Sequence, residues 1–407
     1  MGLIVQKFGG TSLATVAKIQ AATRHVLRAK AQGHDVICVT SAMAGVTNEL
    51  AAMAASLPHA HNAEHDALLT AGEQAATALF ALALQQQGLK SRSWMAWQLP
   101  LQTDTTYGNA HLKKCHVSPL KAFLAEQGIS VVAGFQGVTP DGRITSLGRG
   151  GSDTTALALA SAFKADSACT QDVSCTIFTD VDGIHVADPR HVPHARYLSA
   201  IDYDTMYALA QTGARVLHPD CVRYAQKGDV PLRVTRTHGE NDKEDSMTSG
   251  TWVRREASED TAPFFLTHTS AWHLCESLGA GPISPATLAR FLDELTTHHP
   301  FEAHLITPTL WALRTPLLEA KRNLLRDVVG TFTERPDHSA ITVHLTHPSP
   351  VDVLERLTTD ATLKDYPWWL GTQKAIVFVP SDQLTKTLGH LHAMLNDTFN
   401  RVQPHAS

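Results

Sequence analysis

At 407 residues, with 34 lysines and arginines against 39 aspartates and glutamates, the chain has a formal net charge of −5. That balance leaves no basic footprint for nucleic acid or for an anionic membrane surface, so small molecules and further copies of the chain are the expected partners. The length exceeds one typical core and predicts two or three domains.

Six cysteines (Cys38, Cys115, Cys169, Cys175, Cys221 and Cys275) are scattered without CxxC spacing, which predicts reduced thiols and a cytoplasmic protein. The opening Met-Gly-Leu-Ile-Val-Gln-Lys-Phe lacks a basic segment leading into an apolar one. No stretch approaches about 18 uninterrupted apolar residues, so no membrane segment is expected. Histidines cluster at His59, His61 and His65 and at His390 and His392, but no cysteine or carboxylate completes a ligand set there, and no metal site is assigned.

The first element expected is a strand over residues 3–8, which runs into Gly9-Gly10-Thr11-Ser12 and a helix over 13–31. A buried strand over 35–40, a turn over 41–45 and a helix from Thr47 repeat the plan, and a long helix over 64–87 contains Glu73. A strand over 130–136 leads through Pro140-Asp141-Gly142 to Thr145–Thr155, and a helix over 155–165 and a buried strand over 174–179 follow. Such alternation predicts an open, mostly parallel α/β sheet between helix layers, with ligands outside the carboxyl ends of its strands. Residues 235–249 are small and charged, a loop composition, and 251–253 read as a last strand. Beyond a boundary at about 256, strands near 301–314, 340–346 and 374–379 alternate with helices near 285–298, 316–328, 350–358 and 381–395, an order that fits two small α+β modules.

Two stretches carry chemistry. Thr145–Thr155 reads Thr-Ser-Leu-Gly-Arg-Gly-Gly-Ser-Asp-Thr-Thr and enters a helix; its glycines let backbone amides approach an anion, to which the helix N-terminus adds positive potential. Lys7, directly before Gly9 and Gly10, sets a point charge beside a second such turn. Neither stretch is a GxxxxGK[ST] loop or a GxGxxG fingerprint, which disfavours a P-loop or a dinucleotide site.

Val5-Gln-Lys-Phe-Gly-Gly-Thr-Ser12, Thr40-Ser-Ala-Met-Ala-Gly-Val-Thr-Asn48, Gly72-Glu73, Gly134-Phe-Gln-Gly137, Leu147-Gly-Arg-Gly-Gly-Ser-Asp153, Thr179-Asp-Val-Asp-Gly183, Asp188-Pro-Arg190 and Gly213-Ala-Arg-Val-Leu-His-Pro219 occur in this order. Together they are similar to the successive signatures of the aspartate kinases, over roughly residues 3–253. The resemblance implies the amino-acid kinase fold over 1–255, ATP with Mg2+, and formation of an acyl phosphate on the side-chain carboxylate of L-aspartate. It makes Lys7 and Asp153 catalytic, Asp153 orienting Lys7 or helping to place magnesium. Ser41, Thr47, Glu73 and Arg149 become substrate-binding: Thr47 for the reacting carboxylate, Glu73 for the ammonium, Arg149 for a carboxylate. Lys7, Gly9, Gly10, Thr179, Asp180, Asp182, His185, Arg190 and Arg215 become nucleotide- or phosphate-binding. No general base is required, because a carboxylate of pKa about 4 is already ionised at neutral pH.

The chain departs from that pattern in three places. Arg215 stands where the family has lysine, His185 where it often has tyrosine, and residues 256–407 lack the Pro-Gly turn with a flanking acid that opens an effector site in its tandem ACT (ferredoxin-like) modules. The tail is therefore expected to be a degenerate ACT-like region with a dimerising role. Two alternatives stay open: a kinase of another small amino acid or carboxylate, and a non-catalytic ligand-sensing subunit on the same fold.

Overall fold

The computed structural model describes residues 2–57, 62–166, 169, 171–214, 216–237, 250–256, 262–277, 303–307, 310–314, 332–346, 351–371 and 373–402. The helices expected near 285–298 and 316–328 lie outside these residues, as do His59 and His61. The chain divides into two compact units: Met1–Ile184 with Leu198–Tyr207 and Arg215–Asp260, and Thr261–Ser407 with His185–Tyr197 and Ala208–Ala214.

The chain up to residue 254 forms, in order, β1 (Gly2–Phe8), α1 (Val16–Ala31), β2 (Asp35–Thr40), α2 (Val46–Ala55), α3 (Ala63–Gln86), β3 (Ser91–Trp94), β4 (Gln102–Thr103), β5 (Leu112–Lys114), α4 (Ser118–Ala125), β6 (Ile129–Ala133), β7 (Gln136–Val138), β8 (Ile144–Ser146), α5 (Gly151–Ala165), β9 (Asp172–Thr179), β10 (Ile184–His185), β11 (Tyr197–Leu198), β12 (Ala200–Asp202), α6 (Tyr203–Gln211), α7 (Pro219–Gly228), β13 (Leu232–Arg236) and β14 (Thr251–Arg254). Eight strands make one sheet in the order β12-β14-β13-β9-β1-β2-β6-β3. All its pairings are parallel except β13 with β14. β1 is buried along its whole length, as a central parallel strand covered on both faces must be. Phe8, Leu13, Ile19, Val26, Phe80, Leu84 and Phe178 join α1 and α3 to the sheet in one core, and α5 packs against β1, β9 and α7.

Several boundaries differ from the expectation. α1 starts at Val16 because Thr15 is extended and its side chain accepts from the Lys18 amide. The single strand expected over 130–136 is broken: Phe135 has φ +66°, and the chain leaves the large sheet after Ala133 to enter the small sheet β5-β4-β7-β8. α5 begins at Gly151, so Asp153 lies in its first turn and Gly150 occupies the cap position. α3 is long and apolar enough to cross a membrane by length and composition, yet it packs on α1, β3 and β6 and buries Asp66 and Glu73, the pattern of a core helix. All six cysteines are free thiols.

The second unit contains β15 (Phe264–Ser277), β16 (Ala303–Leu305), β17 (Leu310–Arg314), β18 (Phe332–Leu345), α8 (Val351–Thr359), β19 (Trp368–Leu370), β20 (Lys374–Pro380) and α9 (Leu384–Val402). Its strands form one antiparallel sheet in the order β16-β17-β15-β18-β20-β19. The strand expected near 301–314 is a hairpin, and β18 begins eight residues before the expected start at 340.

Candidate active site

Strand β1 ends with Lys7 and Phe8 in the middle of the sheet, flanked by β2 and β9. Lys7 Nζ lies 2.6 Å from Asp153 Oδ1, with side chains only 10% and 13% exposed. A lysine this desolvated stays at a strand end because an anion from α5 faces it. The backbone beyond is tied down on both sides. Gly9 N–H donates to Phe178 O (3.1 Å), and Gly10 O accepts from Ala44 N–H (3.1 Å). Of the two amides expected to face phosphate, that of Gly9 is therefore committed to the fold, whereas that of Gly10 has no partner among the described residues.

One run of contacts extends from this pair. Ser152, beside Asp153, shares a 2.7 Å hydrogen bond with Ser41 at the end of β2. The next residue, Ala42, donates its amide to the Glu73 carboxylate. Gly72 permits that approach, since a Cβ there would stand 2.9 Å from Ala42 Cβ. Glu73 is 4% exposed and its Oε2 has no hydrogen-bond partner. Burial pushes its pKa up to about 7 despite the Ala42 amide, which acts the other way. A buried carboxylate left half-satisfied, linked to the lysine–aspartate pair through Ala42, Ser41 and Ser152, has an oxygen that can accept a further donor.

Thr47 is half-buried in the first turn of α2. Arg149 is exposed on the turn before α5, with no ion-pair partner among the described residues. Gly150, at φ +67°, packs so tightly on His218 that any Cβ would collide with it. Thr179 ends β9; its hydroxyl donates to Asp180 Oδ1 (3.1 Å), and its carbonyl accepts from Thr237 N–H (2.9 Å). Asp180 and Asp182 are exposed.

His185 and Arg190 fall in the second unit. His185 Nδ1 is 3.1 Å from Ala195 O. Arg190 grips Asp188, with Nε 3.0 Å from Oδ1 and its terminal nitrogen 2.6 Å from Oδ2. Burial raises the Asp188 pKa, but the Arg190 bonds, aided by His268, outweigh it and hold the carboxyl well below the usual range. Arg215 lies outside the described residues.

Sequence reading missed one residue of this neighbourhood. Asp66, on α3 two turns before Glu73, is 0% exposed. Its carboxylate accepts from Ser146 N–H (2.7 Å), Ser146 Oγ (2.8 Å) and Gly108 N–H (3.0 Å). It ties the helix carrying Glu73 to the strand that leads to Arg149. Its partners lie 42 and 80 positions away, and only its place inside an apolar helix hinted at a buried role.

The sequence model of the amino acid kinase family matches residues 2–236. Aspartokinase 2 of Bacillus subtilis is 45% identical over 266 residues, 64% of each chain. The aspartokinase of Geobacillus stearothermophilus is 44% identical over 63% of this chain, a match that spans only 60% of that relative's length. The Thermus thermophilus aspartokinase is 32% identical over 84% of this chain and 85% of its own. Among solved structures, Escherichia coli aspartokinase III in complex with aspartate and ADP superposes with a TM-score of 0.73 at 23% identity, covering 96% of this chain and 99% of that one, which speaks to the fold. With the lysine at the end of β1, the glycine turn into α5 and matches of this extent, the chain belongs to the amino acid kinase family and groups there with the aspartokinases.

Proposed function

We propose that this chain transfers the γ-phosphoryl group of ATP to the side-chain carboxylate of L-aspartate, giving 4-phospho-L-aspartate. One observation carries the reading: the run Glu73, Ala42, Ser41, Ser152, Asp153, Lys7, which has an unmatched buried carboxylate oxygen at one end and a desolvated ammonium at the other. The names of the relatives support it, as does the aspartate and ADP held by the E. coli neighbour.

Phosphoryl transfer needs positioning and charge neutralisation more than covalent help from the protein. Lys7 would offset charge on the transferring group, Asp153 would hold Nζ in place, and the free amide of Gly10 would donate to a phosphoryl oxygen. Glu73 would receive the substrate ammonium, which returns the carboxylate to its ionised form. Arg149, unpaired and exposed, would close on a substrate carboxylate, while Ser41 and Thr47 orient the acceptor. Thr179, Asp180 and Asp182 would serve the nucleotide, a role that the family resemblance extends to His185, Arg190 and Arg215. The donor set fits a magnesium ion arriving with the nucleotide, because Mg2+ takes one or two carboxylates plus phosphates and water, and Asp153 is the oxygen donor at hand. Bound there, the ion would spread phosphate charge.

Residues 1–255 act as the catalytic domain and 256–407 as an ACT-like regulatory or dimerising region. The protein works as a cytoplasmic homodimer at the entry to lysine, threonine and methionine synthesis. Hydroxylamine trapping tests the reaction: ATP, Mg2+ and L-aspartate should give aspartyl hydroxamate, and a panel of other small amino acids and carboxylates should not. Turnover of another acceptor, or none with any, would overturn the assignment.

A further inference from the structure

A second constellation lies wholly within the unit that contains β15–β20. Leu266 N–H donates to Val186 O (2.7 Å), and two residues on from that bond in each segment stand His268 and Asp188. His268 Nε2 is 3.4 Å from Asp188 Oδ2. The turn after Asp188, closed by the His191 and Val192 amides on Asp188 O, brings His191 to the same place, its ring perpendicular to that of His268 with centroids 4.8 Å apart. One ligand atom from each of the three residues lies within 4.8 Å of the others, and all three side chains are half-buried.

From this we infer that Asp188, His191 and His268 form a binding site for a divalent transition-metal ion of the Zn2+ class. Two imidazoles and one carboxylate suit zinc and its neighbours, whereas Mg2+ and Ca2+ prefer all-oxygen shells. His191 Nδ1 is held by Thr385 Oγ1 at 2.8 Å, the kind of outer-shell bond that fixes the tautomer and aim of a metal-ligating ring. Arg190 is the competing cation on Asp188 and bonds both its oxygens, so a metal ion has to displace it; with its side chain 73% exposed, the freed guanidinium can turn out into water. Three protein ligands leave a fourth position for water. The site is outside the phosphoryl-transfer residues Lys7, Asp153 and Glu73, and its test reads metal binding, so it stands or falls apart from the kinase reading.

The full chain, stripped by chelator, is titrated with Co2+ followed by visible absorption, and Zn2+ is then added to displace it. One equivalent should bind with a ligand-field spectrum. His191→Ala and His268→Ala should each weaken binding by at least about tenfold, Arg190→Ala should tighten it, and the exposed neighbour variant His194→Ala should match wild type. His194→Ala also controls for loose binding to a histidine-rich surface, and circular dichroism confirms that each variant is folded. Absence of a Co2+ spectrum in the wild type, or equal affinity in wild type, His191→Ala and His268→Ala, would overturn the site.

Discussion

Two buried polar groups, one in each compact unit, are handled in opposite ways. In the first, Glu73 is buried with one oxygen unmatched and its pKa pushed up to about 7. In the second, His344 is equally buried but matched: Nε2 meets Thr212 Oγ1 at 2.6 Å, and Thr267 donates to that same hydroxyl. Burial lowers the His344 pKa to about 3, with the charge of Lys374 adding to the effect. A polar group left unmatched marks a place where a ligand is expected, whereas a matched one specifies a core.

The contrast has a pH signature. Folded Glu73 holds its proton to higher pH than the unfolded chain does, so its burden on the first unit is absent below about pH 4.5, grows between about pH 4.5 and about 7, and is constant above that. Folded His344 resists protonation, so the second unit loses stability as pH falls below the unfolded value of 6.5. Glu73 burdens the first unit from neutral pH upward, and His344 burdens the second in acid.

Substitution of Lys7 has the largest expected effect. Lys7→Ala should lower kcat/KM by about a hundredfold to a thousandfold, the usual loss when a charge-stabilising donor at a transition state is removed. Steady-state kinetics checks this; a variant as fast as wild type would remove Lys7 from the mechanism. Glu73→Gln should raise the KM for aspartate while leaving that for ATP. Above pH 7 it should also stabilise the protein by up to about 3 kcal/mol, the free energy of the shift from 4.5 to about 7. Denaturant unfolding at pH 5 and pH 8 separates that gain from a general one.

Asp66→Ala strands the amides of Ser146 and Gly108 and should cost about 2–3 kcal/mol. Because the lost bonds couple the Glu73 helix to the Arg149 strand, aspartate KM should rise more than ATP KM, a split that a purely structural role would not produce. The smallest effect falls in the other unit. Acidifying from pH 7 to pH 5 should cost about 2 kcal/mol through His344, and His344→Gln should lose that sensitivity with kcat unchanged at pH 7.

These differences follow what was legible in the sequence. Fully buried parallel strands read as apolar runs, so β1, β2 and β9 and the turns at their ends were visible, and with them Lys7, Gly10 and Thr179, while Asp153 was visible in the glycine stretch that enters α5. Glu73 was visible through the family resemblance rather than through its helix, where one acid looks like any solvated carboxylate. Asp66 was hidden because its meaning lies in amides brought to it by β8 and the loop before β5. β15 and β18, at 14 residues each, were read short or missed, since polar residues and Pro336 interrupt any apolar run. The Asp188, His191 and His268 group escaped for the same reason as Asp66: one ligand comes from a strand 80 positions further on, and local spacing carries no trace of it.

In the proposed function, the unmatched Glu73 carboxylate seats the substrate ammonium. Calorimetric titration of the protein with L-aspartate at pH 6 and pH 8 tests it most directly. With a carboxyl pKa of about 7, wild type should bind about tenfold more weakly at pH 6, because most of the carboxylate is then protonated, and Glu73→Gln should show weak binding that does not change with pH. Equal wild-type affinities at the two pH values would contradict the account.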